Sequence, residues 1–381
     1  MESLMSAPVS TSHPAGAWFE VRNAADIPSP ALLVYPDRIE ANLREMLRIA
    51  GGPTRLRPHI KTHKAAELVR RQPALGIAKF KCATLAEAAM AAAEGAEDLL
   101  LAYPPVGPAV EGLVRLAGEF PKTRFACLVD NDRSLQMLDI AAVRGGVRIG
   151  AALDLDIGQH RTGIAPGEAA DAVYRGICAA RALLPGGLHA YDGHLGMSDP
   201  SAREAACDAA FAPVAAMRRR LVAEGLPVPR IVAGGSPTFA IHARRTDVEL
   251  SPGTTVLWDA GYARKLPDLA FLPAAVLLTR VVSRPGPDRL CLDLGHKAVA
   301  SEMPWPRVEF LNLPGAAFVA HSEEHLVVES PAAGRFEVGC EVYALPWHVC
   351  PTVALYDEMV AVENGLASAR WRVTARSRRY G

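Results

Sequence analysis

Residues 78–103, AKFKCATLAEAAMAAAEGAEDLLLAY, decide the fold. A short run, Ala78 to Ala83, gives way to the alanine-rich stretch Leu85 to Glu94, and a second apolar run, Asp98 to Tyr103, follows. Strand, crossover helix and strand make the unit from which parallel sheets are built. Outward from this unit the same alternation continues. Further strand candidates are Ala31 to Tyr35, Arg124 to Val129, Arg148 to Leu155, Leu188 to Tyr191 and Ile231 to Ala233, and Ala202 to Leu221 is another helical stretch. The pattern over residues 29–265 predicts an α/β fold, a (β/α)8 TIM-type barrel. In such barrels the reactive side chains come from the C-terminal strand ends and the loops after them. The polar clusters PHIKTHK, DIGQHRTG, DGH and GGSPT all fall there.

From about residue 270 the texture changes. AVLLTRVVS, RLCLDLG, AFVAH, HLVVE, EVYAL, EMVAV and ARWRVTA are short, β-rich and separated by turn residues. They predict a second, mainly β domain over residues 266–381. Residues 1–28 read as an N-terminal arm, with Trp18 to Val21 expected to add a strand to that domain.

With 381 residues, half of them apolar, the chain can bury a large core. Lysine plus arginine balance aspartate plus glutamate at 41 each, so no net field holds a nucleic acid or an anionic membrane. No apolar run approaches a bilayer span and the N-terminus lacks a secretory pattern, so the expected address is the cytoplasm. The seven cysteines are odd in number and widely spread, which argues against a disulfide framework.

Four groups of residues carry chemistry. In Arg57 to Lys64, RPHIKTHK, a lysine ends a short buried-looking run beside histidines and arginine. Desolvation and neighbouring cations there would free an amine for imine formation, and the alternative is a basic surface loop. Gly234-Gly235-Ser236-Pro237-Thr238 and Ser251-Pro252-Gly253-Thr254-Thr255 each follow an apolar run. Singly each reads as a turn; as a pair late in a barrel they suit a phosphate, with glycines admitting backbone N–H groups and hydroxyls adding donors. In Pro346 to Pro351, PWHVCP, His348 and Cys350 lie two apart, so on an extended backbone imidazole and thiolate face one side and can converge on an ion such as zinc. An isolated His-x-Cys is also a common coincidence. In DIGQHRTG the plain reading of Arg161 is a salt-bridged loop arginine.

Together these segments resemble the D-threonine aldolase and D-serine dehydratase family, whose barrel is shared with alanine racemase. The resemblance runs over nearly the whole chain, including SPALLVYPDRIEANL, TLAEA and VENG…RWRVTARSRRYG. It implies a pyridoxal-phosphate enzyme with Lys61 as Schiff-base lysine, His59 close by, Arg161 beside the cofactor ring and Tyr191 near it. Gly235, Ser236, Thr238, Gly253 and Thr254 would hold the phosphate, and His348 and Cys350 a divalent metal, zinc or alternatively manganese or magnesium. Typical aldolases carry a histidine six residues after the tyrosine; this chain has Met197 there, with His194 as the candidate acid or base. His321-Ser322-Glu323-Glu324-His325 also resembles a family segment and is expected at the site entrance or a subunit contact.

The resemblance therefore implies a lyase for small D-β-hydroxy amino acids, in a homodimer. Cys350 matches the dehydratase ligand, whereas the tail matches the aldolase branch over more residues, so aldol cleavage to glycine and an aldehyde is the favoured reaction. Dehydration to a ketoacid and ammonia is the alternative. A racemase, a non-catalytic pyridoxal-phosphate carrier and a structural zinc protein are the remaining rivals.

Overall fold

The structure is a computed structural model describing residues 17–378. The first strand, β1 (Ala31–Val34), leads into the helix Pro36–Ala50. Strands β2 (Lys79–Cys82), β3 (Asp98–Leu101), β4 (Arg124–Val129), β5 (Ile149–Leu155), β6 (Leu183–Ala190), β7 (Ile231–Ala233) and β8 (Val248–Leu250) then form one parallel sheet in sequential order. Residues 55–59 close it. Leu56 bridges Leu250 on one side and His59 bridges Lys81 on the other, both in parallel. The backbone bonds Arg57 N to Leu250 O (2.8 Å), His59 N to Pro252 O (2.8 Å) and Lys81 N to Pro58 O (2.9 Å) complete the seam. Pro58 has no N–H to give, which limits this stave to isolated bridges.

Local chemistry sets the crossover helices. Thr84 caps Leu85–Ala93 by accepting from Glu87 N at 3.1 Å, and Asn131 caps Asp132–Gly145 by accepting from Ser134 N at 2.8 Å. Pro36 and Pro200 each stand in the first turn of their helices, where a missing N–H costs nothing.

One strand expected in the barrel belongs elsewhere. β1 pairs in parallel with β15 (Glu358–Glu363) and antiparallel with β9 (Ala275–Gly286), inside a nine-stranded sheet. All four of its residues are buried, so an apolar run alone does not say which sheet it enters. The sheet also contains β10 (Arg289–Leu292), β11 (Val308–Phe310), β12 (Ala317–His321), β13 (Leu326–Glu329), β14 (Glu341–Pro346) and β16 (Leu366–Arg372). The described residues thus begin in the β domain, run through the barrel and return.

Residues Trp18 to Val21 form no strand. They join the β domain by packing instead: Phe19 and Val21 lie in an apolar cluster with Val276, Tyr343 and Val360, and Arg22 N donates to Gly365 O at 2.9 Å. Among the described residues no helix is long and apolar enough to cross a membrane.

The floor of the barrel is ionic. Arg57, fully buried, donates to Asp98 and to Glu249 at 2.7 Å each; Lys79 reaches Glu249 at 2.6 Å and Arg230 reaches Asp98 at 3.1 Å. Burial pushes the Asp98 carboxyl up, but Arg57 and Arg230 outweigh it and bring it down to about 2. Above this layer, Leu100, Ala126, Leu128, Ala152 and Val232 fill the interior.

Candidate active site

Lys61 sits one turn past the closing stave, in the short helix Ile60–Thr62, where its N–H donates to His59 Nδ1 at 3.3 Å. Burial, then the charges of Lys61 and Lys81, hold His59 far below the usual imidazole range, so its ring is neutral. Lys64 is neutralised by an ion pair with Glu87, and its carbonyl accepts from Ala375 N in the C-terminal tail. Lys61 has no such carboxylate among the described residues.

A cavity of about 640 Å³ opens beside Lys61, lined also by His59, Tyr191, Gly235, Ser236, Gly253, Thr254, His348 and Cys350. Most of the side chains singled out in the sequence therefore meet in one place. Arg161 borders an adjoining chamber of about 260 Å³ with His59, Lys61 and Tyr191. Its Cζ lies 5.0 Å from the Tyr191 ring centroid, and the plain reading of Arg161 as a salt-bridged arginine finds no ion pair among the described residues. Tyr191 packs so closely on its own loop that a Cβ at Gly193 would fall 2.0 Å from the phenol oxygen.

The two glycine loops fit an anion. Gly253 N and Thr254 N both point at Ser236 Oγ, at 3.3 and 3.1 Å, so two successive amides converge on one oxygen. A Cβ on Gly253 would crowd His59 and Thr62 at 3.2–3.3 Å, which explains the small residue. Thr238 departs from its expected place. Fully buried behind the loop, its hydroxyl donates to Asp192 at 2.7 Å, and Gly235 N donates to the same oxygen at 3.0 Å. Thr238 thus lies behind the loop, whereas Gly235, Ser236, Gly253 and Thr254 line the cavity.

Asp192, Cys207 and His242 bring ligand-type atoms within 4.8 Å of one another, a grouping absent from the sequence reading. Arg245, which can only donate, bonds His242 Nδ1 at 3.1 Å; the ring proton is then on Nε2 and goes to Asp192 at 2.8 Å. A metal would need that nitrogen bare. The cluster is a brace for the Gly235 loop.

His348 and Cys350 are not on one extended run: His348 is the N-cap of the short helix Val349–Val353 that follows β14, and Cys350 lies in its first turn. Burial pushes the Cys350 thiol up, but His348 and the hydroxyls of Thr254 and Thr62 outweigh it and hold it below the usual thiol range. Those hydroxyls stand 3.5 and 3.2 Å from Sγ. Burial would lower His348; Cys350, Glu302 and Asp259 reverse this and raise it to about 9. Glu302, unsuspected from sequence, bonds His348 Nδ1, the usual kind of support behind a metal-binding imidazole. Asp259 ties the two domains here by accepting from Val349 N (3.0 Å) and Tyr262 N (2.9 Å).

His194 lines a third cavity, about 590 Å³, whose walls include Tyr262 and His348. Its Nδ1 meets Gln159 Oε1 at 3.2 Å. Met197 packs with Leu195, Cys207 and Ile241 in a small apolar cluster and lines none of these cavities. His321 to His325 does not reach the entrance either: His321 bonds Leu294 O and Glu323 and Glu324 pair with Lys297, away from the lining of all three.

Residues 34–258 match the family described as alanine racemase, N-terminal domain, and residues 274–362 match the putative serine dehydratase domain. The chain is 31% identical to a D-threonine aldolase of Arthrobacter sp, over 92% of this chain and 93% of that one. It is 30% identical to a 3-hydroxy-D-aspartate aldolase of Paracoccus denitrificans, over 93% and 94%. The crystal structure of D-threonine aldolase from Filomicrobium marinum superposes with a TM-score of 0.87 at 29% identity, covering 93% of this chain and 97% of that one. With an anion-fitted pair of loops at the mouth of such a barrel, the chain belongs to the alanine racemase-like pyridoxal-phosphate family, alongside the D-threonine aldolases.

Proposed function

We propose that the protein is a pyridoxal-phosphate- and divalent-metal-dependent lyase of the D-threonine aldolase type, cleaving small D-β-hydroxy amino acids to glycine and an aldehyde. The observation that carries this reading is the double use of Thr254. Its amide belongs to the anion cradle and its hydroxyl touches Cys350, so cofactor and metal positions share one wall of the cavity that Lys61 lines.

When bound, pyridoxal phosphate supplies the electron sink for breaking a bond at the substrate's α-carbon. Lys61 would be the amine for its aldehyde, Ser236 and the amides of Gly253 and Thr254 would hold the phosphate, and Arg161 and Tyr191 would line the space for the ring. His348 and Cys350, an imidazole with a thiolate, suit zinc best, and an ion held there would supply Lewis acidity toward the substrate's β-hydroxyl. His194 is the candidate base: the tautomer that donates from Nδ1 to Gln159 would leave Nε2 as an acceptor for the β-hydroxyl proton. A cytoplasmic homodimer completes the proposal, following the family.

Dehydration to a ketoacid and ammonia is the second reading, favoured by one observation: the segment matching the serine dehydratase domain contains both His348 and Cys350. Incubation with D-threonine, D-phenylserine and D-serine, with and without added zinc or manganese, separates the two. Glycine and aldehyde from the first two substrates are expected. Pyruvate and ammonia from D-serine, with no aldehyde from the others, would reject aldol cleavage.

A further inference from the structure

Lys81 is a second lysine of the site. It stands on β2 beside His59, its side chain turned inward like that of Lys79 two residues before, and only 2% of it is exposed. The lysines around it are paired: Lys79 with Glu249 at 2.6 Å, Lys64 with Glu87. Among the described residues Lys81 Nζ has no hydrogen-bond or ion-pair partner. It lies 5.4 Å from the Tyr191 ring centroid, and Lys61 Nζ lies 5.8 Å from the same ring. Both amines line the chamber of about 260 Å³ beneath that ring, where His189 Nε2 is buried without a partner as well.

Two ammonium groups in so small a space repel each other. Burial first, and Lys61 second, push Lys81 down to about 7; Asp154 and Asp192 pull it up and Arg161 lowers it further. Tyr103, His59 and His189, the other titratable groups on the chamber wall, bring no carboxylate. Lys81 therefore has what a nucleophilic amine needs: an unpaired nitrogen, a low-dielectric setting and an open space in front of it.

We infer that Lys81 is a second imine-forming amine of this site, placed to take an aldehyde carbon in the chamber it shares with Lys61. The inference rests on the pyridoxal-phosphate reading above. The nitrogen lone pair attacks the aldehyde carbon, a C–N bond forms, and water leaves with the carbonyl oxygen and the two amine protons. No oxidant or reductant is consumed. With Lys61 present the two amines compete for one aldehyde; with Lys61 removed, Lys81 is the unpaired amine left facing it.

Borohydride reduction of the full-length protein loaded with pyridoxal phosphate, followed by peptide mass mapping, tests this. The pyridoxyl label is expected on Lys61 in the natural protein and in Lys81→Met. It is expected on Lys81 in Lys61→Ala and Lys61→Arg, roughly a hundred-fold above surface lysines given the larger share of free amine, and absent from both positions in the double variant Lys61→Ala/Lys81→Met. Lys61→Arg keeps a cation at position 61, so a folding defect in Lys61→Ala does not decide the outcome. A label on Lys61 in the natural protein with none on Lys81 in either single variant overturns this inference alone. A label away from both lysines in the natural protein overturns the cofactor reading beneath it.

Discussion

The two ends of the barrel interior treat their cations, buried Arg57 below and buried Lys81 above among them, in opposite ways. At the floor, Arg57, Lys79 and Arg230 are each matched to Asp98 or Glu249. At the mouth, Lys61, Lys81 and Arg161 surround Tyr191 with no ion pair among the described residues, over a buried and unpartnered His189 Nε2. An unpaired buried polar group is costly, and a fold retains it where something else supplies the partner. The floor fixes the barrel; the mouth is arranged for a ligand bearing an aldehyde and a phosphate. The β domain adds a third arrangement, a soft histidine–cysteine pair held by Glu302 and Asp259.

If that division is right, substitutions at the two ends separate cleanly. Lys61→Ala should lower kcat by about 10⁴-fold in steady-state assays while leaving the denaturant midpoint nearly unchanged; a large stability loss instead would put Lys61 with the structural cations. Arg57→Met should do the reverse. It removes the cation that Asp98 and Glu249 share, leaving Arg230 beside Asp98 and Lys79 beside Glu249, and equilibrium unfolding should register a loss of about 3 kcal/mol.

The floor also predicts a pH dependence. Asp98 falls from an ordinary 3.8 to about 2 in the folded protein, so it contributes about 2 kcal/mol above pH 3.8 that is lost as the pH drops toward 2. Unfolding measured from pH 5 to pH 2 should show this slope flattened in Asp98→Asn; an unchanged slope would contradict the pairing. Smallest is the effect expected at the metal pair. Glu302→Gln weakens the hold on His348 Nδ1 and should raise the zinc dissociation constant roughly 10-fold by competition titration, with equal affinity in the variant removing Glu302 from the account.

Much of this was legible in the sequence, and what was not has physical causes. β4 and β7 fall where the apolar runs stand. The closing stave was hidden because Pro58 and a charged Arg57 make it read as a loop. β6 begins at Leu183, ahead of the Leu188 read from sequence, because Pro185-Gly186-Gly187 reads as a break that the strand in fact crosses with a register shift. The site shows the same contrast. Ser236, Gly253, His348 and Cys350 lie in short motifs, and the structure gathers them; Thr238 lies in such a motif too but turns away to Asp192.

Lys81 was missed for a different reason. In KFKC the lysines alternate with Phe80 and Cys82, the pattern of a strand with its polar face in water. In a barrel that face is the inside. Glu302 was unmarked and Asp192, though inside the DGH cluster, had no assigned role, because each acts through a partner distant in sequence, Glu302 on His348 and Asp192 on His242.

A crystal structure of the protein with pyridoxal phosphate bound tests the central claim most directly. It should show density continuous from Lys61 Nζ to the cofactor, with the phosphate against Ser236 and the amides of Gly253 and Thr254. A phosphate bound elsewhere, with Lys61 Nζ turned to solvent, would contradict it.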